Sequence, residues 1–428
     1  MRYKYYFDKY LRALQFIITG DASVVIIGDR AVELAKRLRR TRGLTVDGFS
    51  DLDELKGKRK YDFVVLNGVL GKTDDVMGVL GKLRLICNTS TRVIIYQHNH
   101  LWQWMLTMLE ILGVKRKEGM YNWLSVEDVK AYMSASGYEV TKIHRRTLVP
   151  VNFFGLGKII NFFCVIFPFF DFLKLDQFLI ARVIQHEKKQ DLSLTICITV
   201  RNEKNNIEPI IKSLPKVTKV QEILFVEGHS TDGTREEIIR VSKKYPKKNI
   251  RVIGQPGKGQ GDAIRVGFFE AKGEAIVLYE GDGTSDANDV FYFYDAINKG
   301  TAEFIEGSRF VYPLNQKTMP LLKQLGNMFF AIWFTLFLGQ RTTDVLSGIK
   351  AIRKDLYMKF YKDWGFLKIE DPFGDFELLF GAAKLGLKFG EIPMRYYPRS
   401  YGQPKTSIFS HGPLLIRMAL AGHIYFRG

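Results

Sequence analysis

Ala275-Ile276-Val277-Leu278-Tyr279-Glu280-Gly281-Asp282 is a five-residue apolar run that ends in two carboxylates at i and i+2. The run has the character of a strand covered on both faces, as in a parallel sheet. Carboxylates placed directly after such a strand are costly beside an apolar core unless a cation meets them. A hard divalent ion, Mg2+ or Mn2+, takes one or two carboxylates together with phosphate oxygens. Glu280 and Asp282 are therefore a candidate metal site. An isolated Glu-Gly-Asp is equally an ordinary exposed turn, so its neighbours decide.

Working outward, strand-like and helix-like segments alternate on both sides. The pattern predicts strands at 192–200, 222–226, 250–254, 275–279 and 302–306, with helices at 206–213, 234–244, 261–271 and 290–298. This is an α/β layer arrangement with a parallel sheet. In such sheets ligands bind beyond the carboxyl ends of the strands. Polar residues follow each of the first four strands: Arg201-Asn202-Glu203, Glu227-Gly228-His229-Ser230-Thr231-Asp232, Gly257-Lys258-Gly259-Gln260-Gly261-Asp262, and Glu280-Gly281-Asp282. Each alone is a plausible turn or cap; four on one sheet edge point to a site. The glycine-rich turn carrying Lys258 at a helix start suits a phosphate group. Its spacing is not that of a Walker A loop.

Further residues extend the series: Gly307-Ser308-Arg309, Asp344 with Ser347-Gly348, Asp375-Phe376-Glu377, Glu391-Ile392-Pro393, then Arg399, Tyr401-Gly402 and Lys405. In this order, residues ~192–407 resemble family 2 glycosyltransferases of the GT-A fold, especially the polyprenyl-phosphate (dolichol-phosphate) sugar transferases. The resemblance implies roles. Arg201, Asn202, Glu203, Glu227 and Asp232 would line the nucleoside pocket, and Lys258 and Asp262 would border the nucleotide. Glu280 and Asp282 match the metal-binding acidic triplet, with Asp282 the direct ligand and Glu280 acting through water or the ribose. Arg309 and Asp344 would lie toward the acceptor phosphate. Arg399 and Lys405 would close over the sugar and phosphates. Asp375 and Glu377 would be the catalytic acids; a hydroxyl acceptor needs a base, whereas a phosphate acceptor is already an anion. The resemblance also implies inversion at the anomeric carbon. Two departures stand out: Glu280 replaces the first aspartate of the triplet, and Glu227-Gly228 replaces the usual aspartate pair.

The first half has its own α/β rhythm, with strands at 23–28, 61–67 and 92–97 and helices at 31–40 and 74–86. Ser23-Val24-Val25-Ile26-Ile27-Gly28 and the segments to ~150 resemble class I methyltransferases in order. After Gly28, however, Asp29-Arg30-Ala31-Val32 would crowd the S-adenosylmethionine (SAM) loop. The expectation is a degenerate methyltransferase-like domain without SAM, in which Asp47 is a surface residue and His98, His100 and Trp102 pack in a loop. An apolar helical segment and linker is expected over 151–191, separating domains at 1–150 and 192–428.

A chain of 428 residues with 46% hydrophobic and 25% charged residues is long enough for two cores. The net charge of +18 attracts polyanions. Without a nucleic-acid module, the partners expected are a nucleotide-sugar donor, a lipid-phosphate or glycan acceptor and an anionic membrane surface, not nucleic acid. Cys87, Cys164 and Cys197 are widely spaced and read as buried free thiols in a reducing compartment. No run reaches ~20 uninterrupted apolar residues. Ile159–Phe170 and Met328–Leu338 come nearest and suit either a core or a membrane interface, so the expected location is cytoplasmic and peripheral at the inner face of the membrane. Two other readings are a bifunctional protein with a live methyltransferase half, and a non-catalytic scaffold.

Overall fold

The computed structural model describes residues 4–41, 43–55, 59–113, 122–152, 154–184, 190–312, 319–361, 371–399, 401 and 408–427. The chain divides into two compact units: Met1–Ile184 with Lys384–Gly386 and His423–Gly428, and Gln185–Ala383 with Leu387–Gly422.

The first unit is built on six strands: β1 Ala22–Gly28, β2 Leu44–Phe49, β3 Phe63–Asn67, β4 Arg92–His98, β5 Tyr138–Arg146 and β6 Asp176–Val183. Their order is β2-β1-β3-β4-β6-β5. The first four are parallel, and β6 runs antiparallel between β4 and β5. Side chains alternate across β1, so Val24 and Ile26 enter one core and Val25 and Ile27 the other. The expected helical stretch holds for Leu156–Ile166 but not for Asp176–Val183, which is a central strand. Phe178, Leu179, Ile180 and Ala181 are an apolar run buried on both faces. Periodicity alone cannot tell such a run from a buried helix. The expected linker falls mostly on residues outside those described.

The second unit holds β7 Leu194–Val200, β8 Gln221–Glu227, β9 Ile250–Gly254, β10 Ala275–Glu280, β11 Phe304–Ser308, β12 Lys350–Arg353 and β13 Phe389–Pro393. The order is β13-β11-β12-β10-β7-β8-β9. Strands β10, β7, β8 and β9 are parallel, while β12 is antiparallel to both β10 and β11. The strands and helices expected up to residue 306 are all present. Strand β12 has only four residues, and β13 is broken by Gly390 and Glu391 and ends in Pro393, so neither shows a readable pattern. Glycine sets one close approach: a Cβ on Gly267 would lie 2.4 Å from Cys197 Sγ, so the helix Gln260–Glu270 packs tightly on the sheet. All three cysteines are free and buried.

The helix Leu321–Leu338 is apolar on all sides. Phe330, Phe334 and Phe337 are buried, and the Phe334 ring packs at a tilt against Phe376 and Phe380. Leu325, Met328, Phe329, Ile332 and Leu336 form an exposed stripe on the other side. By length and composition it is long and apolar enough to cross a membrane.

Candidate active site

Strand order reverses beside β7, which is flanked by β8 and β10; this switch point is where a parallel sheet opens a crevice at its carboxyl edge. The first polar segment turns there. Asn202 has a positive φ of 53°, and its N–H donates to Ser230 Oγ at 2.9 Å while its Oδ1 accepts from Thr231 N at 2.8 Å. The segments after β7 and β8 are thereby laced together. Glu203 is buried, and its Oε2 accepts from Asn206 Nδ2 at 2.7 Å. Glu227 is buried at the end of β8 and accepts from Ser230 N at 2.5 Å. Asp232 accepts from Thr234 N at 3.0 Å and Lys204 N at 3.2 Å. Burial raises its pKa, but these donors and the Thr234 hydroxyl outweigh that and hold it below the usual carboxylate range. Arg201 is exposed.

Asp262 accepts from Gly257 N at 2.8 Å, closing the glycine-rich turn on which Lys258 stands exposed. Gly259, at φ +85°, and Gly261 press against the backbone of 371–374; Cβ atoms there would come 2.9 Å from Pro372 O and 2.2 Å from Asp371 O. The turn thus joins the segment that starts the helix Asp375–Lys384. Asp371, not singled out from sequence, caps that helix by accepting from Phe376 N at 3.0 Å and Glu377 N at 3.2 Å.

Glu280 is the last residue of β10. Gln260 Nε2 donates to its Oε1 at 3.0 Å. Its carboxyl lies so close to Gly348 that a Cβ there would fall 1.9 Å from Glu280 Cδ. Burial, then the charge of Asp282, push its pKa up to about 7. Asp282 Oδ1 accepts from Thr284 N at 3.0 Å and Thr284 Oγ1 at 2.7 Å. Its Oδ2 takes Arg399 Nη2 at 2.7 Å, and Arg399 Nη1 reaches Glu203 Oε1 at 2.9 Å. Arg399, expected over the sugar and phosphates, spans the two acids at the switch point. Asp282 and Glu203, 79 positions apart by their numbers, share one cation. No group of three or more metal-ligating side chains occurs among the described residues. Two acids leave the other positions to water and phosphate, which suits a Mg2+-type ion.

Downstream, Arg309 and Asp344 are each other's partners. Arg309 Nε donates to Asp344 Oδ2 at 2.6 Å and Nη2 to Oδ1 at 2.7 Å. Arg309 N and Asn327 Nδ2 complete four bonds to that carboxylate, at 3.1 and 2.9 Å. Asp344 is wholly buried and holds Arg309 in place. The guanidinium lies over the Tyr396 ring, 5.1 Å from its centre. Asp375 is paired with Lys350 Nζ at 2.5 Å; burial raises its pKa and Lys350 partly offsets this. Glu377 accepts from Arg265 Nη1 at 3.0 Å and is raised by burial and Asp371 to about 8. Glu280, Asp375 and Arg309 lie within electrostatic reach of one another. The acidic strand end and Asp375 are therefore neighbours. Lys350 had one available signal, a single cation inside the apolar run Ile349–Ile352. Gln260 lay within the glycine-rich segment already singled out, and Arg265 had no signal. Lys405 lies outside the described residues.

In the first unit, the corresponding switch point beside β1 is bridged by the unit's own side chains. Gly28, at φ +105°, abuts Asn67 O. Tyr10 Oη donates to Asn67 Oδ1 at 2.7 Å, Asn67 Nδ2 to Asp29 O at 2.5 Å, and Lys72 pairs with Asp29 at 2.6 Å. Asp47 is engaged by Arg59 at 3.3 Å. His98 Nε2 lies 3.1 Å from Tyr6 Oη, and Trp102 Nε1 donates to Leu173 O at 2.7 Å.

Residues 195–360 match the model of the family described as Glycosyl transferase family 2. This segment of the second unit is therefore similar to family 2 glycosyltransferases. The match takes in every site residue named from Arg201 to Asp344. Among similar proteins are glycosyltransferase AglJ of Haloferax volcanii, 30% identical over 42% of this chain and 55% of the relative. Dolichyl-phosphate hexose transferase of the same organism is 27% identical over 51% and 89%. Dolichyl-phosphate beta-glucosyltransferase ALG5A of Trichomonas vaginalis is 29% identical over 41% and 54%. The chain spans about half the length of the first and third of these.

Proposed function

We propose that the protein transfers a hexose from a nucleotide-diphosphate donor to a lipid-phosphate acceptor at a membrane surface. The observation that carries this reading is the Arg399 bridge between Glu203 and Asp282, beside Glu280, at the switch point of a unit similar to family 2 glycosyltransferases. The names of the relatives supply the acceptor class, since two of the three act on dolichyl phosphate.

In this reading Glu203, Glu227 and Asp232 seat the nucleoside, with Arg201 and Asn202 at the rim. Lys258, on the turn closed by Asp262, and Arg399 supply positive charge to the diphosphate. Asp282, with Glu280, would hold Mg2+ or Mn2+, which stabilises the charge developing on the leaving diphosphate. Arg309, fixed in place by Asp344, presents a cation to an acceptor phosphate. Such an acceptor attacks as an anion and inverts the anomeric carbon without a base. If the acceptor were a hydroxyl, Asp375 would take its proton, its acidity set by burial and by Lys350, and Glu377 would support the same edge. The exposed apolar stripe of Leu321–Leu338 suits attachment to the membrane, at its cytoplasmic face.

Incubation with Mn2+ or Mg2+, labelled nucleotide sugars and polyprenyl phosphate tests the proposal. Metal-dependent transfer, lost in Asp282→Asn, is expected. Neither transfer nor hydrolysis of any donor, with no binding of a nucleoside diphosphate, would refute it.

A further inference from the structure

The first unit contains a second concentration of charge. A hollow of about 360 Å³ is lined by five cationic side chains, Lys9, Arg12, Arg146, Lys174 and Arg427, and by no carboxylate. An adjoining hollow of about 410 Å³ shares Lys9 and Arg12 and adds Lys158 and one acid, Asp8. Lys174, Arg146 and Arg427 are themselves buried. One acid beside them, Asp171, is shared between Lys174, at 2.8 Å, and Arg427. Arg146 forms no salt bridge among the described residues; its guanidinium stands over the Phe16 ring, 5.1 Å from the centre. Buried cations in such excess over acids are unfavourable unless an anion joins them. Burial already pulls Lys174 down to about 8 and, with the charge of Arg427, Arg146 to about 10.

What borders the hollows decides the kind of anion. One wall is the helix Leu156–Ile166, whose Lys158, Phe162 and Val165 face them. Asn161 fixes this helix from its buried side by accepting from Leu148 N at 2.8 Å and donating to Val149 O at 2.8 Å. Its other faces are uncovered and apolar: Leu156, Ile159, Phe162 and Phe163 are each more than half exposed, and Phe169 just beyond it is 63% exposed. A soluble phosphate compound has no use for that surface, whereas a phospholipid has both a phosphate and acyl chains.

We propose that the hollow formed by Lys9, Arg12, Arg146, Lys174 and Arg427 binds the headgroup phosphate of an anionic phospholipid while the helix Leu156–Ile166 enters the interface. This deepens, and rests on, the membrane attachment proposed above, and places a second contact in the unit that lacks the transferase site. The test is flotation of the full chain with vesicles of phosphatidylcholine alone and with phosphatidylglycerol added. It compares wild type, Arg12→Gln/Arg146→Gln, and a control, Lys36→Gln/Arg40→Gln, that removes two exposed cations lying elsewhere. A cation near an anionic surface contributes roughly fivefold to partitioning, so the pocket variant should bind on the order of 25-fold more weakly to anionic vesicles. The control should lose clearly less. Circular dichroism confirms that each variant folds. Should Arg146→Gln misfold, Lys9→Gln/Arg12→Gln replaces it, since both alter only the rim. Equal losses in pocket variant and control would overturn the pocket and leave general surface charge. Calorimetric binding of inorganic phosphate that Arg146→Gln abolishes, with flotation unchanged, would overturn the lipid assignment. Wild type failing to float with either vesicle would overturn the membrane reading itself.

Discussion

Asp344→Ala removes the carboxylate that receives four hydrogen bonds from Arg309 and Asn327. No solvent reaches that position, and the Arg309 guanidinium is itself buried. The loss is therefore that of an uncompensated buried charge, for which about 3–5 kcal/mol is the measured range. Because Asp344 pairs with Arg309 N as well as its side chain, the damage should centre on the end of β11 and the neighbouring β12. Hydrogen exchange on peptides covering Phe304–Ser308 and Lys350–Arg353 reads it as a fall in opening free energy. This local measure avoids assuming that two units unfold as one. Arg309→Met with Asp344→Leu leaves no lone charge, so the pair should cost less than the sum of the single changes, by about 1–3 kcal/mol. A cost below about 1 kcal/mol for Asp344→Ala, or strict additivity in the cycle, would show that water or another cation compensates Arg309 and would refute the reasoning.

Three further outcomes are expected. Asp282→Asn should lower transfer by on the order of 100-fold at saturating Mn2+ while leaving thermal stability close to wild type, since a metal contributes several kcal/mol to charge stabilisation. Gly348→Ala should reduce transfer, because the added Cβ would fall 1.9 Å from Glu280 Cδ and the Glu280 side chain must move; unchanged kcat and KM would contradict the placement of Glu280. Glu306 is buried with one oxygen unpartnered among the described residues, and burial raises its pKa from the ordinary glutamate value of 4.5 to about 8. The folded state thus keeps a proton that the unfolded state has lost, so this contribution to stability is complete below about pH 4.5 and disappears as pH rises toward about 8. Glu306→Gln should flatten the denaturation midpoint across that window; an unchanged slope would exclude Glu306 as its source.

The core expectation for Met328–Leu338 holds for one face of the helix, with Phe330, Phe334 and Phe337 buried, while Ile332 and Leu336 on the other face are exposed. The strands β1, β3, β4, β7, β8, β9 and β10 were legible because each is a β-branched or apolar run bounded by turn residues. Asp176–Val183 was misread because a run buried on both faces carries no period. The strand Lys350–Arg353 was missed because four residues are too few to show one.

The same division holds for the site. Glu280 and Asp282 alone read equally as a turn, and they became visible as the fourth in a series of polar segments that each follow a strand. Local order also fixed that Glu203, Glu227 and Asp262 would reach one edge, since parallel strands present their carboxyl ends together. What only the tertiary structure decided was pairing. Arg399 joins Asp282 to Glu203, Lys350 joins Asp375, and Asp344 is spent on holding Arg309. Ion pairs of this kind depend on distances of a few ångströms between residues far apart in the chain. A sequence records which charges must be neutralised, and the fold selects which partner neutralises each.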